Sequence, residues 1–333
     1  MGQRIRVRTV ITALNITFMG VGRMKRISVM TILVPGILLI SAGCSNAVAT
    51  VTDPQTEMTG TTSFSEEILS EETEQTKEPS GIPDEDIVPV FKLDEFLHTE
   101  ETGDIHYNLY VPDDYDSENK YALHIALPGW EGLYFQGVGE DLRWEYMPFE
   151  SVKYNKDTIV ASLQLNDWEM TSAQQTVILT EHLMEEFSID KKRVYITGYS
   201  GGGETLSLVM EIRPEIYSAA LFMSSKWDGD PARLVEAKTP LYIFTSEHDS
   251  YYGSEPAVSA WQLIRDQYLS AGYTEEEIKS ILVLDVREDA WFDKAAEIYS
   301  SESGDGMDYH GAGLFVALDE NVMRWVFEKS KDT

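Results

Sequence analysis

The pentapeptide Gly198-Tyr199-Ser200-Gly201-Gly202 carries the clearest chemical signal in the sequence. It follows the apolar run RVYIT and precedes ETLSLVMEI, a stretch with helical spacing. A serine between glycines at a strand-to-helix turn is a nucleophile elbow. The turn is tight, and a side chain at the flanking positions would strike the neighbouring strand or helix. Ser200 Oγ would then stand at a helix N-terminus, with the Gly201 N–H facing a developing oxyanion. The competing reading is a glycine-rich turn with a structural serine.

A serine hydroxyl is a poor nucleophile at neutral pH and needs a base, usually a histidine held by a carboxylate. The chain has six histidines: His98, His106, His124, His182, His248 and His310. Only His310 lies well downstream of both Ser200 and a suitable acid. It occupies the glycine-rich loop DYHGAG, just before the last helical run. The expected acid is Asp249, in the loop that follows the strand-like PLYIFTSEHD. Glu247 is its nearest competitor, and Asp285 at the end of ILVLD is another. His248 adjoins Asp249, and neighbours in a chain usually point apart, which counts against it as that acid's base.

Side chains so far apart in sequence meet only on a scaffold that gathers their loops. The runs DIHYNLYVP, YALHIALPG, TIVASLQL, RVYIT, YSAALFMSS, PLYIFTSEHD and SILVLDV read as strands. TSAQQTVILTEHLMEEF, AVSAWQLIRDQYLSAG and LDENVMRWVFEKS read as helices between and after them. This alternation predicts an α/β fold with a mostly parallel central sheet and helices on both faces. Ligands of such sheets lie beyond the carboxyl ends of the strands. The loops after Leu127, Leu165, Thr197, Ser224, Ser246 and Val286 are therefore expected around one site.

Taken together, YNLYVPDDYD, the strand with its Pro-Gly turn, SIDKKRVYITGYSGGG, the SEHD loop and the HGAG loop resemble esterases and peptidase-like hydrolases of the α/β-hydrolase superfamily. The nearest look is to the esterase D, polyhydroxybutyrate depolymerase and feruloyl esterase group, often labelled prolyl-oligopeptidase-like. The likeness covers about residues 88–330. It implies Ser200, Asp249 and His310 as a catalytic triad. It also implies a second oxyanion donor from the loop after the third strand. That loop normally reads His-Gly; here it reads LPGWEG, with Pro128 in the histidine's place. Proline has no N–H, so the expected donors are the backbones of Trp130 and Gly201, with Glu131 taking over if the loop is reorganised.

Trp130, Trp168 and Trp227 each follow a strand end, and Tyr134, Tyr199, Tyr251 and Tyr252 lie nearby in sequence. Aromatic walls stack on sugar rings and aromatic acyl groups. Trp130, Trp168, Tyr199 and Trp227 are therefore the expected substrate-binding residues. The implied activity is a serine esterase cleaving small-molecule or oligosaccharide esters, of acetyl or feruloyl type. The alternatives are a small serine peptidase of the prolyl-oligopeptidase-like group and a noncatalytic cell-surface binding lipoprotein. Residues 45–86 cannot build the propeller that larger oligopeptidases carry. No cofactor and no metal are expected, because the triad supplies its own nucleophile and no close cluster of ligand residues stands out. Residues 286–309 are long for a return loop. They read either as a lid carrying Trp291 and Phe292 over the pocket or as a surface helix.

The first 43 residues hold six basic residues and no acid, and the run ISVMTILVPGILLISAG ends at Cys44, the only cysteine. This reads as an export signal over residues 1–44. Ala42-Gly43 before Cys44 resembles a lipobox, although Ser41 stands where leucine is usual. The expectation is an exported protein, lipidated at Cys44 and touching the membrane only through that anchor, with plain secretion as the alternative. Residues 45–86 are rich in Thr, Ser and Glu and read as a disordered tether; residues 87–333 form the catalytic domain. The net charge of −31 disfavours nucleic-acid partners. Nothing in the sequence reports oligomeric state.

Overall fold

The computed structural model describes residues 89–299 and 309–331. The signal segment, Cys44 and the tether lie outside the described residues, as does the 300–308 part of the return segment.

Eight strands form one sheet among the described residues: β1 (Lys92–Thr99), β2 (Gly103–Tyr110), β3 (Tyr121–Leu127), β4 (Thr158–Gln164), β5 (Ile189–Tyr199), β6 (Ala219–Met223), β7 (Leu241–Ser246) and β8 (Leu282–Arg287). Their order is β1-β2-β4-β3-β5-β6-β7-β8. β1 and β2 pair antiparallel, β2 meets β4 antiparallel, and every later pairing is parallel. All residues of β3, β4, β6 and β7 are buried. Continuous apolar runs of this kind belong to a sheet covered on both faces.

The helices are α1 (Asp141–Trp144), α2 (Met147–Glu150), α3 (Met170–Glu186), α4 (Gly201–Ile212), α5 (Ala232–Ala237), α6 (Glu255–Ser270), α7 (Glu275–Ile281), α8 (Asp289–Tyr299) and α9 (Glu320–Phe327). One face of the sheet packs on Leu179, Leu206, Val209, Leu234, Ile264 and Ile278, from α3 to α7. The other packs on Met147, Phe292, Val322, Met323 and Val326, from α2, α8 and α9. The expected α/β architecture is thus the observed one.

Two features depart from the sequence reading. β1 was not anticipated: its residues KLDEFLHT are mostly exposed, so they carry no core pattern. It is an edge strand with a register shift at Asp94, whose φ is 58°. Charge and irregularity at an edge guard against pairing with other chains. The second concerns Phe292, which is fully buried and lies 6.0 Å from the Phe244 ring and 5.9 Å from Tyr309. Trp291 takes the Arg287 guanidinium over its ring at 4.8 Å. α8 therefore packs these aromatics onto the sheet, and neither ring covers the pocket as a lid.

His124, in the middle of β3, is fully buried between the Ser151 and Thr197 hydroxyls, each at 2.9 Å. Burial pushes its imidazole down to about 3, so it folds neutral. The unfolded chain binds this proton more readily below the ordinary histidine value near 6.5. Stability is therefore lost as pH falls from about 6.5 toward 3, by at most about 1.4 kcal/mol per unit. Asp141, raised by burial to about 6, acts oppositely between about 4 and 6. Thermal unfolding of wild type and His124→Asn across pH 4.5–7 should show the steeper acid loss in the wild type. Parallel curves would refute this.

Candidate active site

β5 runs into α4 through Ser200, which takes φ 52° and ψ −123°. A serine with positive φ is strained, and the surroundings hold it. The Ser200 N–H donates to Met223 O at 3.0 Å, and Ser225 Oγ donates to Ser200 O at 2.6 Å. The helix crosses β3 so closely that a Cβ on Gly202 would come 2.2 Å from Leu127 O. On Gly201 a Cβ would overlap the Trp168 indole. These are the clashes the flanking glycines avoid.

Ser200 Oγ, 8% exposed as a residue, lies 2.9 Å from His310 Nε2. His310 Nδ1 lies 2.9 Å and 3.1 Å from the two Asp249 oxygens. The Asp249 side chain is fully buried and also accepts from the Tyr251 and Tyr252 N–H groups at 2.9 and 2.8 Å. Burial alone would raise this carboxyl. The hydrogen bond and charge of His310, with those two backbone bonds, hold it below the ordinary aspartate value. An ionised Asp249 only accepts, so the imidazole proton belongs on Nδ1. Nε2 is then free to take the Ser200 proton as Oγ attacks a carbonyl.

The other candidates are engaged elsewhere. Asp285 accepts from Tyr242 at 2.7 Å and from two Arg287 nitrogens at 2.6 Å each. His248 pairs with Asp289 at 2.9 Å. Glu247 is exposed.

The loop after β3 lies directly over the elbow. A Cβ on Gly129 would come 3.4 Å from Ser200 Cβ. Gly129 donates its N–H to the buried Glu145 Oε1 at 2.7 Å. The next residue, Trp130, opens a 3-10 turn, Trp130–Gly132. Trp130 and Gly201 both stand at first helical positions, where an N–H has no acceptor within its own helix. Glu131 is exposed. Trp130 and Gly201 thus belong to the two segments that meet at Ser200, the loop after β3 and the elbow.

Of the four aromatic residues expected to bind substrate, two line the site. Trp168 covers Gly201, with Trp130 5.9 Å away. The buried Trp168 Nε1 has no partner among the described residues. Tyr199 is buried instead; its hydroxyl donates to His310 O at 3.0 Å and its ring stacks on the imidazole at 5.3 Å. It supports the histidine loop from within. Trp227 donates to Gly229 O at 2.8 Å and packs on Phe222 and the adjoining core. Its indole is spent on its own loop.

Three residues near the serine were not singled out by the sequence reading. Glu145 carried no signal, because its partner is a backbone group 16 positions away. Glu204 lies one helical turn after Ser200 and accepts from the Tyr252 hydroxyl at 2.5 Å. Lys226 pairs with Glu204 at 3.2 Å. Glu204's spacing from the elbow was the only available hint.

Sheet, elbow and hydrogen-bonded triad define the class: this chain has the α/β-hydrolase fold and carries a Ser-His-Asp arrangement at its nucleophile elbow. The Prolyl oligopeptidase family matches residues 164–228, a span that takes in Trp168 and the elbow but neither Asp249 nor His310. Among solved structures, a thermostable esterase is similar at 21% identity and TM-score 0.57, over 72% of this chain and 63% of that one. Oligopeptidase B from Trypanosoma brucei, with covalently bound antipain, is similar at 12% identity and TM-score 0.44, over 73% and 38%. Acylaminoacyl peptidase from Pyrococcus horikoshii is similar at 11% and 0.44, over 74% and 43%. The chain thus spans less than two thirds of the length of each. No curated protein matches the chain by sequence.

Proposed function

We propose that this protein is a carboxylic-ester hydrolase working through an acyl-enzyme on Ser200. The observation that carries the reading is the unbroken chain from the Asp249 carboxylate through His310 to the Ser200 hydroxyl. In this reading His310 takes the serine proton, Trp130 and Gly201 N–H groups receive the oxyanion, and His310 returns the proton to the leaving alcohol. Water, activated by the same imidazole, then releases the acid.

The substrate class we propose is an acylated carbohydrate, carrying acetyl or feruloyl groups. Support comes from the indoles beside the elbow and from the exposed rings that continue them. Trp130 is 53% exposed and Phe135 62%, and their rings are 5.3 Å apart. Such faces stack on sugars. The exported, Cys44-anchored placement is proposed from residues 1–44 alone; palmitate incorporation that survives Cys44→Ala would defeat it.

A second reading, a small peptidase, has one observation in its favour, the family match over residues 164–228. Purified protein offered an acetyl ester, an acetylated xylan, a feruloyl ester and the anilide of the same acyl group separates them. The expected result is kcat/KM on esters above that on the anilide by about 100-fold or more, a barrier difference of about 2.7 kcal/mol. A preference for anilide would select the peptidase. Activity on p-nitrophenyl acetate without activity on either carbohydrate ester would remove the carbohydrate assignment.

A further inference from the structure

Ser200 has a neighbour besides His310. Tyr252, three residues after Asp249, has its hydroxyl close to Ser200. Its ring meets the His310 imidazole edge-on, with centroids 5.5 Å apart. Its O–H donates to Glu204 Oε1 at 2.5 Å, and Glu204 is in turn paired with Lys226. Glu204 is well shielded, with its side chain 15% exposed. A triad needs none of these three residues. Yet the arrangement fixes a phenol, with its proton oriented by a carboxylate, beside the reacting oxygen.

The sheet order decides which side of the substrate that phenol faces. The proposed oxyanion donors come from the loop after β3 and from the elbow, and β3 lies on one flank of β5. His310 is held by the loop after β7, on the other flank, and Tyr252 belongs to that same loop. The leaving oxygen must face His310, because His310 protonates it. The phenol is therefore on the leaving-group side.

We propose that Tyr252 is a further catalytic residue, whose hydroxyl donates a hydrogen bond to the leaving-group oxygen while the Glu204–Lys226 pair keeps the phenol oriented. This rests on the esterase reading above. In the acylation step, the Ser200 Oγ–carbon bond forms as His310 Nε2 takes the hydroxyl proton. When the tetrahedral intermediate collapses, the carbon–oxygen bond to the alcohol breaks with its electron pair on that oxygen, and His310 returns the proton to it. Tyr252 O–H turns from Glu204 to the same oxygen during the break and keeps its proton throughout. Burial, with the charge and bond of Glu204, raises the phenol well above its ordinary value, so it remains a donor at any working pH. A second donor matters most when the leaving group is a basic alkoxide, as from a sugar or alkyl alcohol, and least for a stabilised phenolate.

The test compares wild type and Tyr252→Phe on two acetates, p-nitrophenyl acetate and an acetylated monosaccharide. The expected loss in kcat/KM is about 100-fold on the sugar ester and about threefold on the activated ester. Labelling of Ser200 by a fluorophosphonate, whose leaving group needs little help, should persist and shows that the triad is intact. Glu204→Ala, which keeps the phenol but frees it, should lose about 10-fold on the sugar ester only, and stands in if Tyr252→Phe fails to fold. Equal losses on both esters, or no loss, would overturn the inference while leaving the esterase reading in place. A wild type that cleaves neither ester would overturn both.

Discussion

Ser200→Ala and His310→Ala are each expected to lower kcat for ester hydrolysis by about 10⁶-fold, and Asp249→Asn by about 10⁴-fold. The first two losses follow from the 2.9 Å contact between His310 Nε2 and Ser200 Oγ. Without the base the hydroxyl keeps its proton, and without the hydroxyl nothing accepts the acyl group. Because the pair acts as a unit, the double variant should be little worse than either single one. Asp249→Asn is instructive in a different way. Asparagine can present its amide N–H₂ to Nδ1, which then keeps its lone pair, so the imidazole proton moves to Nε2. There it faces Ser200 as a donor where an acceptor is needed. Single-turnover kinetics with p-nitrophenyl acetate and fluorophosphonate labelling measure all four variants. Should Asp249→Asn retain a tenth of wild-type activity, the carboxylate assignment would be wrong, despite the Asp249 depression toward the charged form.

The sequence made the reacting groups visible because each was tied to an element. Ser200 stood between a strand run and a helical run, and those became β5 and α4. His310 was the histidine with the right chain order, and Asp249 followed a strand that became β7. What escaped depended on direction in space rather than on position in the chain. Tyr199 precedes the nucleophile, and successive side chains in a strand face opposite ways; it entered the core and reached back to the His310 carbonyl. Trp227 has the right address beyond β6, but its indole found an acceptor two residues away. β1 stayed hidden because an edge strand with exposed residues has no hydrophobic pattern to show. Residues 286–309 read either as a lid or as a surface helix; α8 is a helix, and its large apolar Phe292 ring gains more by burial against the sheet.

Glu145 shows the consequence of a residue that only the fold reveals, and it carries the second large effect. Its carboxyl accepts the Gly129 N–H at 2.7 Å, and so fixes the residue before Trp130, the proposed oxyanion donor. Glu145→Ala would leave that buried N–H unpaired, at a cost of about 1–3 kcal/mol in stability. It would also let the loop shift. Loss of one well-placed oxyanion donor lowers kcat by about 10²–10³-fold, so kcat should fall by that amount while KM changes less. Glu145→Gln keeps a carbonyl oxygen for the same bond and should recover most of the rate. It would also change the response to pH. Burial first, then the charges of Asp141 and Glu131, raise this carboxyl well above the ordinary glutamate value, against the opposing bond from Gly129. The folded protein thus binds the proton more tightly than the unfolded chain does. That stabilisation is complete below the ordinary glutamate value and is lost as pH rises through the folded one. Glutamine cannot ionise, so Glu145→Gln should flatten this part of the stability curve. Steady-state kinetics and unfolding at several pH values test both statements. If alanine and glutamine variants lose kcat equally, Glu145 does not act through the Gly129 bond.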